Sequence, residues 1–374
     1  MKIAYRAGAL AAAAVLSLSL AACTADNEPS DAPTTGSTTG STNAPAVQLS
    51  GTLNGSGSTA QESAMDAWRA AFQTENPELT INYDPVGSGG GVTAFTSGAV
   101  AWAGSDSPLK DPDEYEAAKA YCGADGAINL PVYISPIAVV FNVEGVTSLN
   151  LDAATIAGIF DGKITKWNDP AITALNADVT LPDTAITPVH RSDDSGTTKN
   201  FTDYLSKVAP DAWTYPADKV WPIKSGESGE GTSGLIDVVT NTPGTIGYAD
   251  ASKAGTLGVA SIQVGDAFNA PSAEGAATAL ATSELKEGNG ANDLAYSIDR
   301  TTTESGAYPL LLLSYAIVCQ SYEDAATLAN VTGFLSYVAS ADGQAAAASA
   351  AGSAPLPADL SAQIETILAG IAGA

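Results

Sequence analysis

The chain has 374 residues, with 41 acidic against 15 basic side chains and a formal net charge of −26. That balance excludes nucleic acid and anionic lipid as natural electrostatic partners, and it obliges any bound anion to be held by local donors. With 45% hydrophobic residues the chain can bury a sizeable core, and its length allows two domains.

The first segment is a leader. Lys2 and Arg6 precede an apolar run from about Gly8 to Ala22, too short to span a bilayer as a helix, which predicts a secretory signal. Leu20-Ala21-Ala22-Cys23 resembles the lipobox of bacterial lipoproteins, in which the cysteine becomes the lipidated first residue; the plainer reading is a buried cysteine after an ordinary signal. Thr24 to Ala46 lacks periodicity and large apolar residues and is expected to be a disordered tether. As a flexible coil it would span roughly 25 Å.

From Val47 the pattern alternates. Val47 to Leu53 reads as a strand, followed by the turn GSGST and a helix with Met65, Trp68 and Phe72 on one face; Thr59 and Glu62 match a capping box. A strand through Ile81 and Tyr83 leads into GSGGG at Gly87 to Gly91, then a short helix with Val92 and Phe95. VAWAGSDSPL supplies another strand. Ala127 to Asn142 is long, β-rich and interrupted by Pro131 and Pro136, and is read as a strand leaving one domain for the next. HRSDDSGTTKNFTDYL repeats strand, small-residue turn and helix, with Phe201, Tyr204 and Leu205 on one face. Tyr308 to Gln320 suits a central strand returning to the first domain, and the Ala-rich tail, broken by Pro355 and Pro357, reads as helices. The expected fold is α/β, with ligand-binding turns at strand carboxyl ends. Cys122 and Cys319 form an even pair in an exported chain and predict a disulfide, the other reading being two buried thiols.

Three stretches share one design: Gly55 to Thr59, Gly87 to Gly91 and Asp194 to Thr198 each put small or hydroxyl residues where a helix begins. Singly these are ordinary caps and turns; together they are anion sites in waiting, because first-turn N–H groups lack partners. Arg191 adds planar charge-assisted donors, with a salt bridge to Asp193 or Asp194 as its plain alternative. Asp106 is the discriminating residue, although it could be a simple turn aspartate. A carboxylate in an anion site repels any ligand that brings no proton. Phosphate retains one near neutral pH, whereas sulfate does not.

GSGST, VGSGGGV, AGSDSPL and RSDDSGT, in this order, resemble the PstS phosphate-binding proteins of bacterial uptake systems, and the similarity extends through GKITKWNDPAI and GTIGYAD. The resemblance implies a two-domain periplasmic-binding-protein fold of type II, with a hinge and an interdomain ligand cleft, that passes inorganic phosphate to an ABC permease. The implied domains are 47–135 with 308–374, and 136–307. Thr59 and the Ala60 N–H would donate from the first loop, and Ser88 through hydroxyl and N–H from the second. Asp106 would accept the phosphate proton; Arg191, Ser195, Gly196 and Thr197 would donate from the second domain, with Asp193 holding Arg191. Ala60 stands where relatives often carry an aromatic residue. Asp194 stands where they often carry glycine, and it adds a carboxylate beside the site.

The implied protein is a monomeric lipoprotein anchored through Cys23 on the outer face of the cell membrane. No enzyme activity, cofactor, metal or nucleic-acid partner is expected. An enzymatic alternative would make Ser195 a nucleophile and His190 its base. The single histidine has no G-x-S-x-G elbow or metal-ligand cluster beside it. A receptor for another oxyanion and a sensor without transport are the remaining alternatives.

Overall fold

Alternation of strands and helices builds one mixed sheet of eleven strands. The computed structural model describes residues 48–224 and 226–373; the leader, Cys23 and the tether to Ala46 lie outside the described residues. In chain order the first elements are β1 (Gly51–Gly57), α1 (Glu62–Glu75), β2 (Leu79–Asp84), α2 (Ser88–Thr96), β3 (Trp102–Ser105), α3 (Asp113–Cys122) and β4 (Ala127–Phe141). There follow β5 (Ser148–Leu151), α4 (Ala153–Phe160), α5 (Pro170–Leu175), β6 (Thr187–Arg191), α6 (Gly196–Val208), β7 (Glu227–Gly229), α7 (Gly231–Asn241) and β8 (Thr245–Asp250). The last part carries β9 (Gly258–Val264), β10 (Ala267–Asn269), α8 (Ala273–Ala281), β11 (Glu284–Leu285), β12 (Tyr296–Ser297), β13 (Leu311–Cys319) and β14 (Ser321–Tyr322). It closes with α9 (Ala325–Ala339), α10 (Ala341–Ala351), α11 (Ala358–Gly370) and β15 (Ala372–Gly373).

The main path through the sheet runs β2-β1-β3-β13-β4-β8-β6-β7. β4 organises it. Residues Ala127 to Pro136 pair antiparallel with β13, and Ile137 to Phe141 then pair with β8. All fifteen residues of β4 are buried, so the segment is a single strand despite its two prolines. Pro131 is tolerated because the register with β13 shifts between Ser314 and Tyr315, opposite that proline, where an irregular ladder loses little from a missing N–H.

On one side of β4, β1 runs parallel to β2 and β3; on the other, β6 runs parallel to β7 and β8. Helices α1, α2, α6 and α7 therefore begin just past parallel strand ends. Their apolar faces follow the helical spacing in the sequence: α1 buries Met65, Trp68 and Phe72, and α6 buries Phe201, Tyr204 and Leu205. Trp68 Nε1 also donates to the Gly343 carbonyl at 2.7 Å, fixing α1 on α10.

β1 lies further along the chain than the alternation in Val47 to Leu53 suggests. Gly55, Ser56 and Gly57 pair with Trp102, Ala103 and Gly104, so the glycine-rich stretch is strand rather than turn. Gly57, at φ +142°, packs its backbone against the Gly104 carbonyl and Gly91, where a Cβ would collide. Gly89 to Gly91, expected as a turn, form the first turns of α2; Gly89 is close against Asp194 and Gly91 against Gly57, where side chains would collide.

Cys122 at the end of α3 and Cys319 at the end of β13 are joined as a disulfide across 197 residues. Replacing both with serine is expected to lower unfolding stability by about 2–5 kcal/mol through loop entropy restored to the unfolded chain. Urea midpoints of wild type and the double variant check this; equal midpoints would show that packing alone holds the two ends.

Candidate functional site

Asp106, immediately after β3, is the point where the strand ends meet. Its Oδ1 accepts from the Ser58 and Ser314 hydroxyls at 2.5 Å each, and its Oδ2 accepts from the Thr197 hydroxyl at 3.0 Å. Its N–H donates to Ser88 Oγ at 3.1 Å, and its carbonyl accepts from Asn200 Nδ2 at 2.5 Å. A carboxylate offers about four lone-pair directions. Three are taken by hydroxyls, and one on Oδ2 remains.

Around this carboxylate stand helix starts. Ser195 is the N-cap of α6, its Oγ accepting from Thr198 N at 3.1 Å, so the N–H groups of Gly196 and Thr197 are first-turn donors without an intrahelical acceptor. Gly196 is required here: a Cβ would sit 2.5 Å from Ser88 Oγ and 2.8 Å from Asp106 Cβ. Gly87 precedes α2, and Gly89 N donates to the Asp194 carbonyl at 2.9 Å. Ahead of α1, Ala60 N donates to Ser58 Oγ at 3.1 Å. The Thr59–Glu62 capping box does not form. Gln61 is the N-cap of α1, and Thr59 Oγ1 instead accepts from Thr232 N at 3.0 Å, at the start of α7, where it has a better donor across the cleft than within its own helix.

Arg191 ends β6 and is buried. Its Nε and one Nη donate to the two Asp193 oxygens at 2.7 and 2.5 Å, while Asp193 Oδ1 also accepts from Gly231 N at 2.9 Å. Burial alone would push the Asp193 carboxyl up; the bidentate arginine and the Gly231 N–H outweigh it and hold the group below its ordinary value. The other Nη of Arg191 has no hydrogen-bond acceptor among the described residues. Asp194 is an exposed residue, but it packs on the start of α2: its backbone carbonyl accepts from Gly89 N, and its Cβ and carboxylate lie against Gly89, where a side chain would collide with them.

The structure thus gathers Ser88, Asp106, Gly196 and Thr197, with the cap Ser195, in one cluster, and links Arg191 and Asp193 to Thr59 through Gly231 and Thr232, while the Ala60 N–H is turned to Ser58. Apart from Asp193, the side chains of these residues come from positions no more than 6% exposed. It does not bring Ser195 and His190 together: His190 stacks on Trp221, its Nδ1 2.9 Å from the Arg191 carbonyl. Among the described residues no group of three or more His, Cys, Asp or Glu is placed to hold a metal ion, and no helix is long and apolar enough to cross a membrane.

A family model described as the PBP superfamily domain matches residues 32–342. Phosphate-binding protein PstS 3 of Mycobacterium tuberculosis is 42% identical over 291 residues, covering 76% of this chain and 77% of that one. The chain belongs to the PstS family of phosphate-binding proteins. PstS of Xylella fastidiosa is 32% identical over 283 residues, 73% of each chain. Among solved structures, a high-affinity periplasmic phosphate-binding protein (PfluDING) bound with phosphate has a TM-score of 0.67 at 22% identity, covering 84% of this chain and 93% of that one. A phosphate-binding protein from Stenotrophomonas maltophilia has a TM-score of 0.65 at 21% identity with the same coverage. At those identities the likeness speaks for the PstS-type α/β fold alone.

Sequence reasoning missed Ser58, Thr232, Asn200 and Ser314. Ser314 had a readable signal, being a lone hydroxyl inside the apolar run YPLLLLSYAIVC, and Thr232 sits in another small-residue helix start, GEGTSG. Nothing local marked Asn200, which donates to the carbonyls of both Asp106 and Gly196 from the middle of a helical stretch.

The PstS-like motif GTIGYAD ends in a second buried carboxylate. Asp250 accepts from Tyr133 Oη at 3.0 Å and Ser252 N at 2.9 Å, where β8 meets β4. Burial pushes its carboxyl up to about 6, and the hydrogen bonds from Ser252, Ser135 and Tyr133 only partly restrain it. The folded value lies above the unfolded one of about 3.9, so this contribution to stability is complete below pH ~4 and is lost as pH rises through ~6. Asp250→Asn is therefore expected to gain on wild type by about 2–3 kcal/mol between pH 4 and pH 7. Urea unfolding at the two pH values measures that gap, and a constant gap would overturn the assignment.

Proposed function

We propose that this protein is an extracytoplasmic receptor that binds one inorganic phosphate between Asp106 and Arg191 and delivers it to an ABC permease. The observation that carries the reading is the single acceptor direction left on Asp106 Oδ2, beside the helix starts of α2 and α6. The lone pair takes a ligand proton, and the N–H groups take the ligand's oxygens. Thr197 already spends its hydroxyl hydrogen on Asp106, so it serves through its N–H. Ser88 and Ser195 each accept at Oγ and keep their own hydrogen for the ligand. Thr59 closes the first loop over it, whereas the Ala60 N–H, expected from the resemblance to donate, is already spent on Ser58 Oγ; Arg191, held by Asp193, supplies the one formal positive charge.

The burial of these groups supports a hinged cleft, with lobes 47–135 plus 308–374 and 136–307 parting to admit the ion. The cleft contacts Gly89–Asp194, Thr59–Thr232 and Lys219–Glu114 would open with them. The lipidated Cys23 and the tether would keep the receptor, a monomer, near its permease at the outer face of the membrane. Neither a cofactor nor catalysis enters this reading.

Isothermal titration of ligand-stripped protein tests it. Phosphate is expected to bind one to one and sulfate not to compete. Arg191→Ala should weaken phosphate by about 100-fold or more, because a buried charge-assisted contact is lost. Asp106→Asn should narrow the phosphate-to-sulfate ratio by raising sulfate affinity relative to phosphate. Equal competition by sulfate in wild type would overturn the role of Asp106.

A further inference from the structure

A cavity of about 370 Å³ lies beside the cleft and shares Asp106 and Asn200 as part of its wall. Five of the chain's 15 basic residues line it: Lys110, Lys199, Lys207, Lys286 and Arg300. In a protein of net charge −26, a third of all cations around one cavity is not a sample of the average surface. Only Asp106, Asp111 and Asp203 oppose them there.

The pairing is uneven. Arg300 is buried, donating to Asp203 at 2.9 Å, to the carbonyls of Pro309 and Leu311 at 2.8 and 2.7 Å, and to Asn200 Oδ1. Lys207 shares Asp203 at 3.2 Å, and Lys110 reaches Asp113 at 3.8 Å. Among the described residues, Lys199 and Lys286 have no carboxylate within ion-pair distance. Lys199 is partly buried; burial first, then Lys219 and Lys286, hold its ammonium below the ordinary value against the opposing pull of Glu114 and Asp203. Two neighbouring amines thus face the cavity with no carboxylate in direct ion-pair contact. Pro108, Leu109, Tyr296 and Ile298 make the rest of the wall largely apolar.

We propose that this cavity is a second anion site, for the dianionic phosphate group of a small phosphate ester, with Lys199 and Lys286 as its counter-charges and the apolar wall against the ester's organic part. The excess of two positive charges around the cavity matches a dianion, and the apolar surface favours an ester over free phosphate. The site adjoins the cleft, the two sharing Asp106 and Asn200 as a common wall, and it does not depend on the phosphate reading of that cleft.

Phenyl phosphate is the probe, titrated into the full chain loaded with one equivalent of inorganic phosphate. It is expected to bind in about one further equivalent, more weakly as salt is raised. Lys286→Gln, at a partly exposed position where folding is not at stake, should weaken it about threefold, and Lys199→Gln with Lys286→Gln by about tenfold or more. Arg191→Ala should leave it unchanged, which separates this site from the cleft. The proposal is overturned by absence of binding up to about 10 mM, by binding indifferent to both lysines, by loss in Arg191→Ala alone, or by a second equivalent of inorganic phosphate binding where the ester does not.

Discussion

Everything near the cleft depends on a buried carboxylate satisfied by hydroxyls rather than by cations. Asp106 draws Ser58 from the end of β1, Ser314 from β13 and Thr197 from α6 onto its two oxygens, and its backbone engages Ser88 and Asn200. An unpaired charge in that position would be costly. A lysine or arginine partner would solve the desolvation problem but cancel the charge. Hydroxyls solve it while leaving the carboxylate negative and one direction open, at the price of recruiting four separate chain segments to one spot.

The same logic governs Arg191. Asp193 takes Nε and one Nη, and Gly231 N–H in turn satisfies Asp193, so the guanidinium is fixed in plane and the pair adds little net charge. Positive potential at the centre comes instead from the beginnings of α2 and α6, with Gly196 letting the α6 start approach Ser88 and Asp106. Dipoles act over short distances and are indifferent to the acidic exterior. A chain of net charge −26 can therefore keep an anion-binding centre, because the interactions that build it are screened from the surface by burial and by range.

Much of this was legible because the features involved are local in sequence. A helix start announces itself through Ser195-Gly196-Thr197, a guanidinium fork through Arg191 and Asp193 two residues apart, and helix faces through Met65, Trp68 and Phe72. The disulfide between Cys122 and Cys319 could be read from count and compartment alone. What sequence obscured is decided by contacts across the chain. Gly55 to Gly57 look like a turn, yet pairing with Trp102 to Gly104 makes them strand. Thr59 looks like a cap, yet Thr232, 173 residues away, offers it a better partner. Asn200 has no signature because its role is defined by two carbonyls it meets only after folding.

The proton provides the last step. Since Ser58, Ser314 and Thr197 all point their hydrogens at Asp106, those hydroxyls cannot turn and donate to a ligand without leaving the carboxylate under-satisfied. The cleft therefore cannot adapt to a fully ionised oxyanion by rotating a hydroxyl, as a looser serine-rich site would. A ligand that carries its own proton meets the open direction on Oδ2 directly, and one that does not brings two negative charges into contact in a buried place. Under the phosphate reading, selectivity then belongs to the three hydroxyls as much as to Asp106, because they fix which way the remaining lone pair faces and deny it any other hydrogen.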